Sequence, residues 1–294
     1  MSTTGHDPLC RICRKQAPPA EVFDEVACFR CRGCGTVQSF QLPSPDVLAA
    51  HYATYSERYT AGMGAERFAR EMPKRHAAKL ALLRRYRAGG RLLDVGSGEG
   101  FFLEQAVAAG FDGIGCDYSI RCEYPVGVQV KVGVLDRPDG LPFADGSFDV
   151  VTSWAVIEHV RDPHAAMREV HRVLKPSGLF FCDTPLCSDL SERWVAGRSH
   201  WFAPPEHIHV FSQRSLAALV SAAGLDVVYA TPSFERTRAR WYARRTRNIA
   251  IGVLIGGATR MLTPSAWYRR RQSVVTAIGD IQLLVARKPI ALGV

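Results

Sequence analysis

From Arg91 onward, short apolar runs alternate with stretches whose apolar residues recur every third or fourth position. The runs predict strands over 91–95, 113–117, 128–132, 148–153, 178–184, 225–230 and 279–287, with helices in most of the intervals. Alternating strand and helix predicts an α/β domain built on a largely parallel sheet. Ten residues separate Asp117 from Val128, Pro125 and Gly127 among them, so that interval has room for little more than a turn. Upstream, 43–87 reads as helical, with Pro43 and Pro45 marking its start. HYATYSERY, residues 51–59, places Tyr52, Tyr55 and Tyr59 at spacings of three and four and hence on one helical face, and 67–87 reads as a basic amphipathic helix.

The first predicted strand opens the segment RLLDVGSGEGFFLEQAVAAGFDGIGCD, residues 91–117. Gly96, Gly98 and Gly100 let the backbone turn sharply and approach a ligand with no Cβ in the way. A helix and a second strand follow, and Asp117 closes that strand at the usual distance for gripping a ribose diol. Strand, glycine turn, helix, strand and terminal carboxylate together predict a nucleotide-binding βαβ unit.

A length of 294 residues suits one catalytic domain with an appendage, and a 47% hydrophobic fraction is ordinary for a soluble enzyme. MSTTGHDPLC shows no secretory pattern, so the expected location is the cytoplasm. In that reducing setting the nine cysteines point to metal before disulfides. Cys10 and Cys13 of CRIC can pair with Cys31 and Cys34, seventeen residues on, or with Cys28 and Cys31, fourteen residues on. Gly35 directly after Cys34 favours the first choice, because a knuckle turn must aim backbone N–H groups at thiolate sulfur.

The net charge of +9 is concentrated in one place: ten Arg and one Glu lie between Glu235 and Val275, and the remainder sums to zero. Within that stretch FERTRARWYARRTR and WYRRRQ flank the fifteen-residue apolar run NIAIGVLIGGATRML, which is shorter than the ~20 residues a bilayer span needs. Basic and aromatic flanks around a short apolar centre suit either a segment lying on anionic lipid at the inner face of the membrane or an ordinary lid or dimer helix.

The GxGxG spacing resembles class I S-adenosylmethionine-dependent methyltransferases more than dinucleotide dehydrogenases. LPFADGSFDVVTSWAVIEHVRDPHAAMREVHRVLKPSGLFFCDT (141–184), PPEHIHVFS (204–212) and the closing IGDIQLLVARKP are similar to the same family. The resemblance covers nearly all of the chain and is nearest to bacterial methyltransferases with an N-terminal zinc ribbon, sugar C-methyltransferases included. It implies a Rossmann-like seven-stranded sheet, six strands parallel and the last antiparallel, over 89–294, with a zinc ribbon over 1–42, a helical linker or lid over 43–88 and an insert over 234–275. It implies S-adenosylmethionine as cofactor, with Asp94, Gly96, Gly98 and Gly100 at the methionyl end, Asp117 on the ribose, and Val134 with Leu135 at the adenine edge. It also implies a structural Zn2+ on Cys10, Cys13, Cys31 and Cys34, since four thiolates leave no open coordination position.

Two Glu-His pairs, Glu158-His159 and Glu206-His207, fall at the carboxyl ends of predicted strands, where open α/β sheets place their ligands. A hydroxyl or carbon acceptor needs deprotonation, and His titrates near neutrality. The zinc-ribbon relatives carry an EH pair in the active site, which makes His207 the expected base with Glu206 beside it and His159 a positioning residue. His200, Trp201 and His209 flank that loop, and the resemblance turns Tyr55 and Tyr59 toward the acceptor. The expected acceptor is a saccharide or a related small or lipid-linked metabolite. An rRNA acceptor fits less well, because the ribbon and linker lack a basic aromatic face and no NPPY-like motif follows the fourth strand. A non-catalytic shell at the membrane conflicts with the complete glycine turn.

Overall fold

The computed structural model describes residues 9–19, 21–23, 26–54, 64–118, 120, 124–136, 140–187, 202–231 and 280–290. Tyr55, Tyr59, His200, Trp201 and the segment 234–275 lie outside them.

Three short strands come first: β1 (Glu21–Phe23), β2 (Val26–Arg30) and β3 (Val37–Ser39). Helices α1 (Pro45–Ala53) and α2 (Ala65–Leu83) follow. Helix α1 begins where Ser44 Oγ accepts the Val47 amide and Pro45 takes the first helical turn. The remaining elements are β4 (Gly90–Val95), α3 (Phe101–Ala108), β5 (Phe111–Asp117), β6 (Val130–Val132), β7 (Phe148–Trp154), α4 (Pro163–Val173), β8 (Leu174–Leu186), β9 (His209–Val210), α5 (Gln213–Ala222), β10 (Asp226–Thr231) and β11 (Asp280–Arg287). No helix among the described residues is long and apolar enough to cross a membrane.

Seven strands form the main sheet in the order β10-β11-β8-β7-β4-β5-β6. Strand β11 runs antiparallel to both neighbours, and the other ladders are parallel. Each predicted strand is present, with ends moved by a few residues. The central strands are apolar at consecutive positions because both faces of the sheet are covered. Leu92, Val150 and Phe181 pack on one side with Leu83, Phe102 and Leu103, while Leu93, Val151 and Phe180 pack on the other with Met167, Val170 and Leu216. Helix α4 starts cleanly because Asp162 accepts the amides of His164 and Ala165 ahead of Pro163.

From β4 the chain builds outward through β5 to β6, then returns to the other side of β4 as β7. The two carboxyl ends at this reversal, after Val95 and after Trp154, therefore open onto a shared crevice.

The small sheet has the order β1-β2-β3-β9. Its fourth strand comes from far along the chain, with Gln38 opposite His209 and Val37 opposite Val210. Further ties cross the same seam. Ser212 Oγ donates to the Cys34 carbonyl at 2.8 Å and His164 Nε2 meets the Ile12 carbonyl at 2.8 Å, while within the N-terminal unit Arg11 donates to the carbonyls of Ser39 and Phe40 at 2.7 and 3.1 Å. Arg11→Ala is expected to cost about 1–3 kcal/mol in chemical denaturation, because both carbonyls would lose their charged donor while the main sheet keeps every contact.

Candidate functional site

The crevice has two regions, and the first is the glycine turn after β4. Gly96, Gly98 and Gly100 all have positive φ, at 70°, 53° and 79°. A Cβ on Gly96 would lie 2.3 Å from Val156 Cγ2, whereas one on Gly98 would meet nothing within 4 Å. Gly96 thus permits close packing against the end of β7, and Gly98 bares backbone toward open space. Its amide donates to Asp117 Oδ2 at 2.9 Å, which ties the turn to the end of β5. Asp117 already spends one oxygen on the turn that the sequence expects it to face across a ribose.

Asp94, 2% exposed, accepts the Thr152 hydroxyl at 2.6 Å. Burial pushes its carboxyl up to about 7, against the Thr152 hydrogen bond and the charge of Lys79. Lys79 reaches in from α2, pairs with Asp183 Oδ2 at 3.1 Å and lies 4.7 Å above the Trp154 ring. Ser97 Oγ, Ser153 Oγ and Trp154 Nε1 are buried without a hydrogen bond. Bare backbone and unmatched polar atoms around one opening fit the polar end of a nucleotide-like cofactor. Val134 is half-buried and Leu135 buried just beyond β6, with Leu135 in the same core cluster as Cys116 and Leu141.

The second region gathers both Glu-His pairs. The amides of Ile208 and His209 each donate to the Glu158 carbonyl at 3.1 Å, which draws the Pro204–His207 loop against the turn after β7. Glu158 is fully buried, with Oε2 accepting the Thr184 hydroxyl at 2.8 Å and Oε1 holding no hydrogen bond. Burial pushes its carboxyl up to about 8 and drives His159 well below its ordinary value, so His159 is neutral at physiological pH. His159 Nδ1 lies 2.9 Å from Tyr52 Oη, its Nε2 is 3.8 Å from Glu158 Oε1, and its ring meets that of His207 edge to face at 4.9 Å. Glu206 sits between two imidazoles, 3.5 Å from His207 Nε2 and 3.2 Å from His51 Nε2. His159, expected as a positioning residue, occupies the middle of this cluster. His209 does not join it: its Nε2 faces the Val160 carbonyl at 3.0 Å, and burial lowers its pKa to about 3.

His51, Tyr52, Lys79, Asp183 and Thr184 enter these regions without having been singled out as site residues. Tyr52 had a signal in the tyrosine stripe of α1; the others had none beyond their residue type.

The cysteines meet in a third place. Cys10, Cys13, Cys31 and Cys34 bring their Sγ atoms within 4.8 Å of one another, while Cys28 lies on β2 outside the group. The pairs Cys10–Cys34 and Cys13–Cys31 are 3.6 and 3.4 Å apart, close to the ~3.8 Å edge of a tetrahedron with zinc–sulfur arms of about 2.3 Å. Cys10 Sγ also accepts the amides of Ile12 and Cys13 and the side chain of Gln38. The Cys34 thiol beside it lowers the pKa of Cys10, while the same contact raises that of Cys34, so the two sulfurs share one proton between them.

A family described as a methyltransferase domain matches residues 68–230, more than half of the chain. A Renibacterium salmoninarum demethylmenaquinone methyltransferase is 38% identical over 99 residues, which are 31% of this chain and 39% of that protein. A Mycolicibacterium smegmatis protein named "Probable S-adenosylmethionine-dependent methyltransferase" is 32% identical over 160 residues, 52% of this chain and 59% of its own length. The chain thus spans less than two thirds of either relative. The solved complex between the Haloferax volcanii Trm112 methyltransferase activator and a methyltransferase superposes with a TM-score of 0.55 at 22% identity, covering 85% of this chain and 99% of that one, a likeness of fold.

The turn yields two expected outcomes. Gly96→Ala should lower stability by about 2–4 kcal/mol through its clash with Val156, whereas Gly98→Ala should cost about 1–2 kcal/mol and weaken cofactor binding more, as denaturation and calorimetry would report. For Asp94 the folded pKa lies above the unfolded one, so the native carboxyl binds its proton more tightly and stability falls as pH rises from about 4 to about 7. Asp94→Asn should therefore gain stability over the parent across that window and hold a constant margin above it, as read by urea unfolding of the cofactor-free protein.

Proposed function

The chain belongs to the methyltransferase-domain family, and on that premise we propose that it transfers the methyl group of S-adenosylmethionine to a saccharide or a related small or lipid-linked metabolite. The observation that carries this reading is the pairing of a bare glycine turn with a partly buried His/Glu cluster across one crevice. The cofactor supplies an electrophilic methyl group on a sulfonium. Everything else falls to the side chains. The Gly96–Gly100 turn, Asp94 and the polar atoms around Trp154 hold the methionyl end, and Asp117 with Val134 and Leu135 frames the nucleoside.

Methyl transfer to an ionisable hydroxyl, or to a carbon beside a carbonyl, requires that a proton leave the acceptor. The His207–Glu206 pair is suited to receive it: Glu206, flanked by His51, holds the imidazole and stabilises its protonated form. His159 and Tyr52 orient the acceptor, and the dry floor made by Glu158 and Thr184 keeps water from competing. The relative named as a demethylmenaquinone methyltransferase is in keeping with a small-molecule acceptor. The four cysteines serve as a structural zinc site that braces the turn before β3, where the Cys34 carbonyl accepts from Ser212 just beyond β9. The basic segment 234–275 is the part suited to hold the enzyme against anionic lipid at the inner face of the membrane.

His207→Ala should keep calorimetric affinity for S-adenosylmethionine within about threefold while turnover falls by about 10²–10⁴. Retained turnover would remove His207 from the chemistry. The acceptor class is read from metabolites of a deletion strain, where the accumulating compound should be a glycan or lipid-linked species one methyl group short; an undermethylated ribosomal RNA would overturn the class.

A further inference from the structure

We propose that Glu158, His159 and His207 form a second metal site, one for a divalent transition-metal cation that binds and acidifies the methyl acceptor. One ligand atom from each residue lies within 4.8 Å of the other two. Glu158 Oε1 and His159 Nε2 are 3.8 Å apart, against the ~3.4 Å edge of a tetrahedron with arms of about 2.1 Å, so shifts of a few tenths of an ångström close the site.

The hydrogen bonds around the cluster support the assignment. Thr184 binds Oε2 of Glu158 and leaves Oε1, fully buried and without a hydrogen bond, aimed at the imidazole. Tyr52 takes Nδ1 of His159; with Nδ1–H donating to the phenol oxygen, the lone pair rests on Nε2, on the Glu158 side. In each case the heteroatom held from behind is the one a metal would not use, an arrangement that orients ligands in metalloproteins. An apolar or purely hydrogen-bonded pocket has no need of an orphaned carboxylate oxygen at its floor.

Two imidazoles and one carboxylate suit zinc, iron, cobalt, nickel or manganese over magnesium or calcium, which prefer oxygen alone. Three protein ligands leave coordination positions open for the acceptor, and two adjacent oxygens, as in a vicinal diol or a hydroxy-ketone, fit them best. This deepens the proposed function and rests on reading the cluster as the acceptor pocket. With a cation bound, His207 would serve as a ligand in place of its role as base, and Glu206, between His207 and His51, would take the proton of the acceptor hydroxyl. The acceptor oxygen then forms its bond to the methyl carbon as the carbon–sulfur bond breaks, with that electron pair staying on sulfur.

The test is a Co2+ titration of the full chain after removal of bound metal with a chelator. Wild type should take up two equivalents, one with the intense near-ultraviolet charge transfer of a thiolate site and one with only the weak visible bands of nitrogen and oxygen ligands. Glu158→Gln, which keeps the shape of the side chain and its contact with Thr184, should weaken the second equivalent by at least about tenfold and leave the thiolate one unchanged. Uptake of the thiolate equivalent alone by wild type, or identical uptake by Glu158→Gln, overturns the proposal. S-adenosylmethionine titration of the same metal-free samples separates the two readings. Cofactor binding in both proteins shows that they are folded and preserves the methyltransferase reading even if the second equivalent is missing, whereas a second cobalt equivalent in a chain that binds no cofactor would leave the metal site standing and remove the methyltransferase reading.

Discussion

A single carbonyl oxygen, that of Glu158, accepts two backbone amides from Ile208 and His209, and the crevice is assembled around that clamp. It brings together two Glu-His pairs nearly fifty residues apart in sequence, and it sets β9 beside β3 at the seam with the small sheet. Each amide bond contributes about 0.5–1.5 kcal/mol in isolation. Their larger effect is geometric, because they hold the Pro204–His207 loop within reach of side chains from the turn after β7 and from α1.

The interior beside this clamp is electrostatically unusual. Asp94 and Glu158 are both withdrawn from water, and burial pushes both carboxyls toward neutrality. Their desolvation is offset only in part, by the hydroxyls of Thr152 and Thr184 and, at Asp94, by the charge of Lys79. A ligand that brings positive charge into the crevice relieves the cost of ionising them, whether that charge is a sulfonium at the glycine turn or a metal cation at the imidazoles. The carboxyls give up their protons as such a ligand arrives, so the charge of each offsets the desolvation cost of the other.

Much of the fold was legible because the strands that carry it are buried on both faces and read as unbroken apolar runs. Leu92 with Leu93 and Val150 with Val151 send neighbouring side chains into opposite cores, so pattern and topology agree. The glycine turn and the two Glu-His pairs were legible for a related reason, since their chemistry sits at strand ends that the pattern locates. Tyr52 and His51 were harder. Helical spacing says that residues share a face but not which strand the face meets, and their partners, His159 and Glu206, lie 107 and 155 residues away. The cysteine spacing left two pairings open, and the folded chain gathers Cys34 while leaving Cys28 on β2. Strand β9 was invisible because two residues carry no periodicity.

The pairing of β3 with β9 also bears on the order in which the protein takes shape during its synthesis. Gln38 and His209 are separated by about 170 residues, so β3 emerges from the ribosome long before its partner exists. Until then the described part of the N-terminal sheet has three strands and an open edge at β3. Contacts so distant along a chain close late. The half of the crevice that holds the glycine turn can form first, and the half that selects the acceptor is completed only when the two ends of the chain's architecture meet.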